Sequence, residues 1–208
     1  MVGALSEIEL IDTWLYFELR DYVRACFPQE TEYYASLPAG IWHAYVNDAT
    51  RPLRNAHMAE RLALSAGQPN HNLGKLYLRA ARPDVEGQEA VGWHREEMYG
   101  APKGTVNFWM PIRGCTVENA MRYIPGSEGA FVATQANDAQ GVTKGSDGNE
   151  IGLLYAPKEI IEGVDFSAAK PLVVPYGKAA LFSGSLIHGA SQNTGPEIRF
   201  SVDFRIYP

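Results

Sequence analysis

Basic clusters, long apolar runs and paired cysteines are all missing from this sequence, and each absence removes a class of function. Against a net charge of −6, no stretch of Lys and Arg stands out. The electrostatic footprint of nucleic-acid or anionic-membrane binding is therefore lacking, and neither partner is expected. No apolar run approaches the roughly 20 residues that a bilayer-spanning helix needs. The two cysteines, Cys26 and Cys115, lie far apart and allow neither a disulfide framework nor a Cys-based zinc site. Both read as reduced thiols of a cytoplasmic protein. Met1 to Leu5 shows neither a basic n-region nor the start of an apolar h-region, so no secretory leader is expected. Low-complexity tracts and internal repeats are absent as well. What remains is a chain of 208 residues with 46% hydrophobic content, the size and composition of one well-buried domain spanning 1–208.

Periodicity divides that domain in two. Ser6 followed by Glu9 has the form of a capping box, and Ile8, Ile11, Leu15, Leu19, Tyr22, Val23 and Cys26 recur at helical spacing until Pro28. Asn55 to Ala66 reads as a second helix closed by Gly67. Residues 1–70 are thus expected to form a helical cover, with a short strand-like run at Ile41 to Val46. From Lys75 the period changes to two, and short strands separated by Gly, Pro and Asn turns continue to the C-terminus, the pattern of an antiparallel sandwich or barrel over 75–208. In Ile198 to Ile206 the apolar Ile198, Phe200, Val202, Phe204 and Ile206 oppose Arg199, Ser201, Asp203 and Arg205. Val106, Phe108, Met110 and Ile112 oppose Thr105, Asn107 and Trp109 in the same way. An ordinary half-exposed sheet alternates in this way, and an apolar face packed under the N-terminal helices with a polar face lining a cavity fits too; length and helix count favour the second. Gln135 to Gly152, rich in Gly, Asn, Asp and Ser, reads either as a lid over that cavity or as a surface excursion.

The chemistry concentrates at Gly92-Trp93-His94-Arg95-Glu96. In a strand, residues two apart project from one face, so His94 and Glu96 can grip one ion from one side. His188 follows the apolar run Ala179 to Ile187 and precedes Gly189, which reads as one strand ending at a turn, and it is the candidate third ligand. Two histidines and one carboxylate with open positions opposite form the ligand set of non-haem Fe(II) oxygenases. Arg199 follows His188 across the Gly189 to Pro196 connection, so the two flanking strands are expected to pair antiparallel. Arg199 with Ser201 on the same face makes a clamp for a carboxylate. His43, His57 and His71 read as structural histidines.

An ordered series of segments resembles the phytanoyl-CoA dioxygenase-like branch of the Fe(II)/2-oxoglutarate-dependent oxygenases. It comprises Trp93-His94-Arg95-Glu96, Asn107 to Ile112, Asn119 to Ser127, Leu181 to Gly189 and Arg199-Phe200-Ser201. The resemblance implies a double-stranded β-helix, a jelly-roll barrel of cupin type, mainly β with N-terminal helices. It implies Fe(II) held by His94, Glu96 and His188, and 2-oxoglutarate held by Arg199 and Ser201 with Asn107 as a further donor. Molecular oxygen is then the co-substrate, and 2-oxoglutarate is converted to succinate and CO2 as a small-molecule substrate is hydroxylated. Position 96 carries Glu where the family usually has Asp, with Glu97 beside it. A carboxylate there argues against halogenation, because the related halogenases put a small residue in its place. Tyr77, Arg79, Trp109 and Arg122 are expected to line the substrate pocket, and their two guanidinium groups favour a small polar metabolite. Two other readings stay open: a cupin-type metal enzyme without keto-acid, and a non-enzymatic jelly-roll that binds a small ligand.

Overall fold

The computed structural model describes residues 8–12, 77–81, 83, 92–136, 141–144, 150–154, 158–189, 192–197 and 199–208. Among them the chain is mainly β, as the period-two alternation requires. The strands are β1 (Glu9–Asp12), β2 (Tyr77–Ala81), β3 (Val106–Arg113), β4 (Arg122–Tyr123), β5 (Ala133–Ala136) and β6 (Gly141–Lys144). They continue with β7 (Glu150–Leu154), β8 (Lys158–Glu162), β9 (Lys170–Pro171), β10 (Lys178–Ser183), β11 (His188–Gly189) and β12 (Arg199–Ile206). Two 3-10 turns, Glu96–Tyr99 and Phe166–Ala168, are the helical elements of the described residues. None of these is long and apolar enough to cross a membrane.

A five-stranded sheet in the order β1-β10-β3-β12-β2 faces a three-stranded sheet in the order β11-β4-β9. Trp109, Ala180 and Phe182 of the larger sheet form one buried cluster with Met121, Leu172, Val174 and Leu186, with Tyr123 packed against it. On the far face of the smaller sheet, Ile124, Ile160, Ala169 and Ile187 form a second cluster against Trp93, Met98 and Phe166. The alternation of Leu186, Ile187 and His188 between these environments turns the His188 ring toward the larger sheet. Strand β3 is buried on both faces except at Arg113, and Phe108, Met110, Val202 and Ile206 are sealed on the side away from the first cluster.

Four expectations are corrected. The helix from Ser6 does not start there, because Glu9–Asp12 is an edge strand with Glu9 opposite Leu181 and Asp12 opposite Lys178. An apolar edge in need of backbone partners outweighs the local helical spacing, as tertiary pairing commonly does. The rest of that helix, the Ile41 to Val46 run and the helix at Asn55 to Ala66 lie outside the described residues. Second, Gln135 to Gly152 is not one loop. Strand β5 extends through Ala136, and β6 and β7 pair antiparallel with Gly141 opposite Leu154. Residues 145–149 also lie outside the described residues.

The third and fourth corrections concern Ala179 to Arg199. The run toward His188 is two strands in two sheets, because the chain turns after Ser183: Leu186 N–H donates to the Ser183 carbonyl at 3.0 Å and Ser185 N–H to the Ser183 hydroxyl at 3.2 Å. The strands carrying His188 and Arg199 consequently do not pair with each other. Strand β11 pairs with β4, whereas β12 lies between β2 and β3. The connection crosses between sheets and is pinned by Asn193, whose Nδ2 donates to the carbonyls of Ala81 (2.8 Å) and Glu197 (2.7 Å).

Candidate metal centre

His94, Glu96 and His188 converge, each offering one ligand atom, with all three atoms within 4.8 Å of one another. All three residues are buried. The histidines lie opposite each other in an antiparallel bridge, each N–H donating to the other's carbonyl at 2.9 and 3.0 Å. Glu96 is not on a strand. Arg95 is extended (φ −130°, ψ 153°) and Glu96 opens the 3-10 turn that closes at Gly100 in the left-handed region (φ 82°). The extended residue between them keeps His94 and Glu96 on one side, so the i, i+2 relation survives although the strand ends. Glu96 N–H donates to the Gly184 carbonyl at 2.8 Å, while Gly184 N–H donates to Thr105 at 2.7 Å. A Cβ at Gly184 would come within 3.0 Å of the Thr105 carbonyl oxygen and 3.4 Å of the Glu96 Cβ, so the close approach of these segments suits glycine.

Each ring is oriented by its second nitrogen. His94 Nδ1 lies 2.8 Å from the Gly92 carbonyl and His188 Nδ1 lies 2.9 Å from the Leu186 carbonyl. A carbonyl only accepts, so in the neutral ring Nδ1 carries the proton and Nε2 presents a lone pair. Those Nε2 atoms lie 3.9 Å (His94) and 3.4 Å (His188) from Glu96 Oε1. Burial, reinforced by the neighbouring His188, pushes the His94 pKa down to about 3. Burial alone would raise the Glu96 carboxyl, but the Arg205 guanidinium and His188 outweigh it and hold the group well below its ordinary range. A neutral imidazole beside an ionised carboxylate is the donor set that a divalent cation takes. Glu97, by contrast, is exposed and accepts a hydrogen bond from the Ser185 hydroxyl at 2.6 Å, so Glu96 is the carboxylate at the cluster.

Arg205 was not among the expected site residues. Its Nε donates to Glu96 Oε2 at 2.8 Å and its Nη2 to Oε1 at 2.9 Å. The alternation of Ile198 to Ile206 puts Arg205 on the polar face, but only the strand register shows that it reaches Glu96. Ser127 was quoted only within a motif. Its hydroxyl accepts from Ile187 N–H at 2.9 Å, which ties the Pro125-Gly126-Ser127 turn to the segment bearing His188; Gly126 sits at φ 70°.

The carboxylate-clamp candidates lie on the inward face of the larger sheet. Arg199 is buried, donates from Nη1 to the Asn119 carbonyl and holds its guanidinium carbon 5.6 Å from the centroid of the Trp109 ring. Asn107 is the cross-strand partner of Arg205, and Ser201 is paired with Pro111. Asn107 Nδ2 and Ser201 Oγ are buried and have no hydrogen-bond partner among the described residues. Orphaned buried polar atoms are costly, and two of them on one polar face suit a ligand that brings oxygen atoms. Of the pocket candidates, Trp109 is buried in the cluster between the sheets. Arg122 is half-buried and donates to the Ala169 carbonyl at 2.9 Å. Tyr77 and Arg79 lie in β2, opposite Asp203 and Ser201.

Solved structures that resemble the chain include EvdO2 from Micromonospora carbonacea var. aurantiaca complexed with 2-oxoglutarate (TM-score 0.62, 17% identity, covering 97% of this chain and 86% of that one). They also include EctD from S. alaskensis with 2-oxoglutarate and 5-hydroxyectoine (TM-score 0.56, 13% identity, 96% and 71%). A third is the non-heme monooxygenase ThoJ (TM-score 0.57, 17% identity, 99% and 72%). At such identities the likeness is one of fold. No curated protein matches the sequence. The family model for phytanoyl-CoA dioxygenase (PhyH) matches residues 41–201, a span that includes His94, Glu96, His188, Arg199 and Ser201. The chain belongs to the phytanoyl-CoA dioxygenase (PhyH) family.

Proposed function

We propose that the protein is a non-haem Fe(II)- and 2-oxoglutarate-dependent dioxygenase that hydroxylates a small polar metabolite, built on a double-stranded β-helix. The observation that carries this is the buried convergence of His94, Glu96 and His188, with each ring's Nδ1 taken up by a backbone carbonyl so that Nε2 faces the cluster. Family membership and the 2-oxoglutarate bound in the EvdO2 and EctD structures support the co-substrate.

His94, Glu96 and His188 would hold the metal. Arg199, Ser201 and Asn107 would hold the keto-acid; Asn107 and Ser201 bring the orphaned polar atoms, and Arg199 brings a buried guanidinium suited to a carboxylate. Iron, when bound, supplies the activation of molecular oxygen, driven by oxidative decarboxylation of 2-oxoglutarate to succinate and CO2. The chain's own part is positioning and exclusion. The carbonyls of Gly92 and Leu186 set the rings, Gly184 sets the backbone of Glu96, and the Phe182 ring packs edge-on against His188. Such preorganisation removes reorientation from the reacting step. Tyr77, Arg79, Trp109 and Arg122 are the proposed contacts to substrate.

The test is succinate formation from 2-oxoglutarate. It should require Fe(II) and oxygen together, and it should disappear in His188→Ala. Succinate formation that persists without added or bound iron, or in that variant, contradicts the reading.

A further inference from the structure

Glutamate brings one more rotatable bond to position 96 than the aspartate usual in the family, and a ligand with an extra torsion has more ways to miss its metal. The two histidines have their freedom removed by the Gly92 and Leu186 carbonyls. Arg205 does the same for Glu96. Its planar fork fixes both carboxylate oxygens, at 2.8 Å (Nε to Oε2) and 2.9 Å (Nη2 to Oε1), with Glu96 almost fully buried. Asp203 steadies the guanidinium from the other side, with Oδ2 3.6 Å from Arg205 Nη1. Bidentate arginine–carboxylate pairs fix orientation as well as charge. Each carboxylate oxygen has two lone-pair directions, so the fork leaves Oε1 able to face both Nε2 atoms.

We infer that Arg205 is a positioning residue for the metal centre: with Asp203 behind it, it sets the Glu96 carboxylate in the one orientation that completes the site with His94 and His188. This rests on the metal-centre reading above. Charge alone does not describe the role. The Asp203–Arg205–Glu96 group carries the same net charge as a single carboxylate, so the guanidinium adds geometry without making the site cationic.

The informative variant is Arg205→Lys, which keeps the charge and loses the fork. Binding of Co(II) alone to the metal-free full chain is measured by calorimetry, with the ligand-field absorption of the bound ion as a second readout. Groups that orient a metal ligand typically change affinity by about 10- to 100-fold when replaced, so Kd should rise by about that factor and the absorption spectrum should change. In a Glu96→Ala background, Arg205→Lys should change Kd by less than about twofold, because its effect passes through Glu96. Asp203→Asn, a conservative exchange less prone to unfold the chain, should raise Kd severalfold. Wild-type Kd and spectrum in both single variants overturn the inference. So does tighter binding in Arg205→Lys, which would mean that Arg205 competes with the metal. These failures are distinguishable from failure of the metal reading itself: there, the wild-type chain binds no Co(II), or His188→Ala binds it as well as wild type.

Discussion

His94 and His188 face each other across a two-residue bridge, each backbone N–H donating to the other's carbonyl, with their ring centroids 4.3 Å apart. Two imidazoles this close in a buried site repel when protonated and cooperate when they share a cation. The bridge that brings them together is made of backbone hydrogen bonds alone.

Removing one ring should abolish tight metal binding while leaving the bridge, whose bonds are all backbone. His188→Ala and His94→Ala are each expected to weaken Co(II) or Fe(II) binding by more than about 100-fold, with far-UV circular dichroism unchanged. Calorimetric titration of the metal-free variants reads this directly.

Acid should destabilise the metal-free protein earlier than carboxylates alone predict. The His94 pKa is lowered in the folded state from 6.5 to about 3, so below pH 6.5 the unfolded chain takes up a proton that the folded chain refuses. The Glu96 carboxyl is also lowered, from 4.5, and acts in the same direction at more acid pH. Stability present above pH 6.5 is therefore lost progressively as pH falls toward 3. Thermal midpoints of the metal-free chain should fall from pH 7 to pH 5, and His94→Asn should flatten that slope. Equal midpoints at pH 7 and pH 5 in the wild type would contradict the assignment.

Ser201 should separate folding from co-substrate binding. Its buried hydroxyl has no partner among the described residues, so Ser201→Ala removes an unsatisfied group and should leave the ligand-free thermal midpoint unchanged or slightly higher. The same change should weaken 2-oxoglutarate binding by about tenfold, the value of roughly one hydrogen bond to a charged group. A drop in ligand-free stability with unaltered co-substrate affinity would assign the hydroxyl to the fold instead.

Ser127 should behave in the opposite way. Ser127→Ala leaves the buried Ile187 N–H without its acceptor, at a cost of about 1–3 kcal/mol in folding stability. Because Ile187 precedes His188, metal affinity should fall with it. Chemical denaturation with and without Co(II) measures both effects.

The alternation of β3 and β12 was legible because period two is a local property. It correctly separated Asn107 and Trp109 from Phe108 and Met110, and Ser201, Asp203 and Arg205 from Val202 and Ile206. The segments bearing His94, Glu96 and His188 were legible from residue type and order. Sheet membership was not. Nothing local in Ala179 to Gly189 says that the chain leaves one sheet at Ser183 and joins another at His188, and the antiparallel pairing expected of the flanking strands failed for that reason. The edge strand at Glu9–Asp12 is not legible because its partner, Leu181 to Lys178, is more than 160 residues away in sequence. The reach of Arg205 to Glu96 is not legible on the same ground: its place on the polar face can be read, but the contact depends on a strand and a turn meeting in space.

The most direct test of the account is an anaerobic titration of the metal-free chain with Fe(II) and then 2-oxoglutarate, followed by visible absorption. The account predicts a weak charge-transfer band that appears only when both are present, is lost in His188→Ala and needs more 2-oxoglutarate in Arg199→Ala. Iron binding without any band on adding 2-oxoglutarate would contradict it and leave a metal site that does not use the keto-acid.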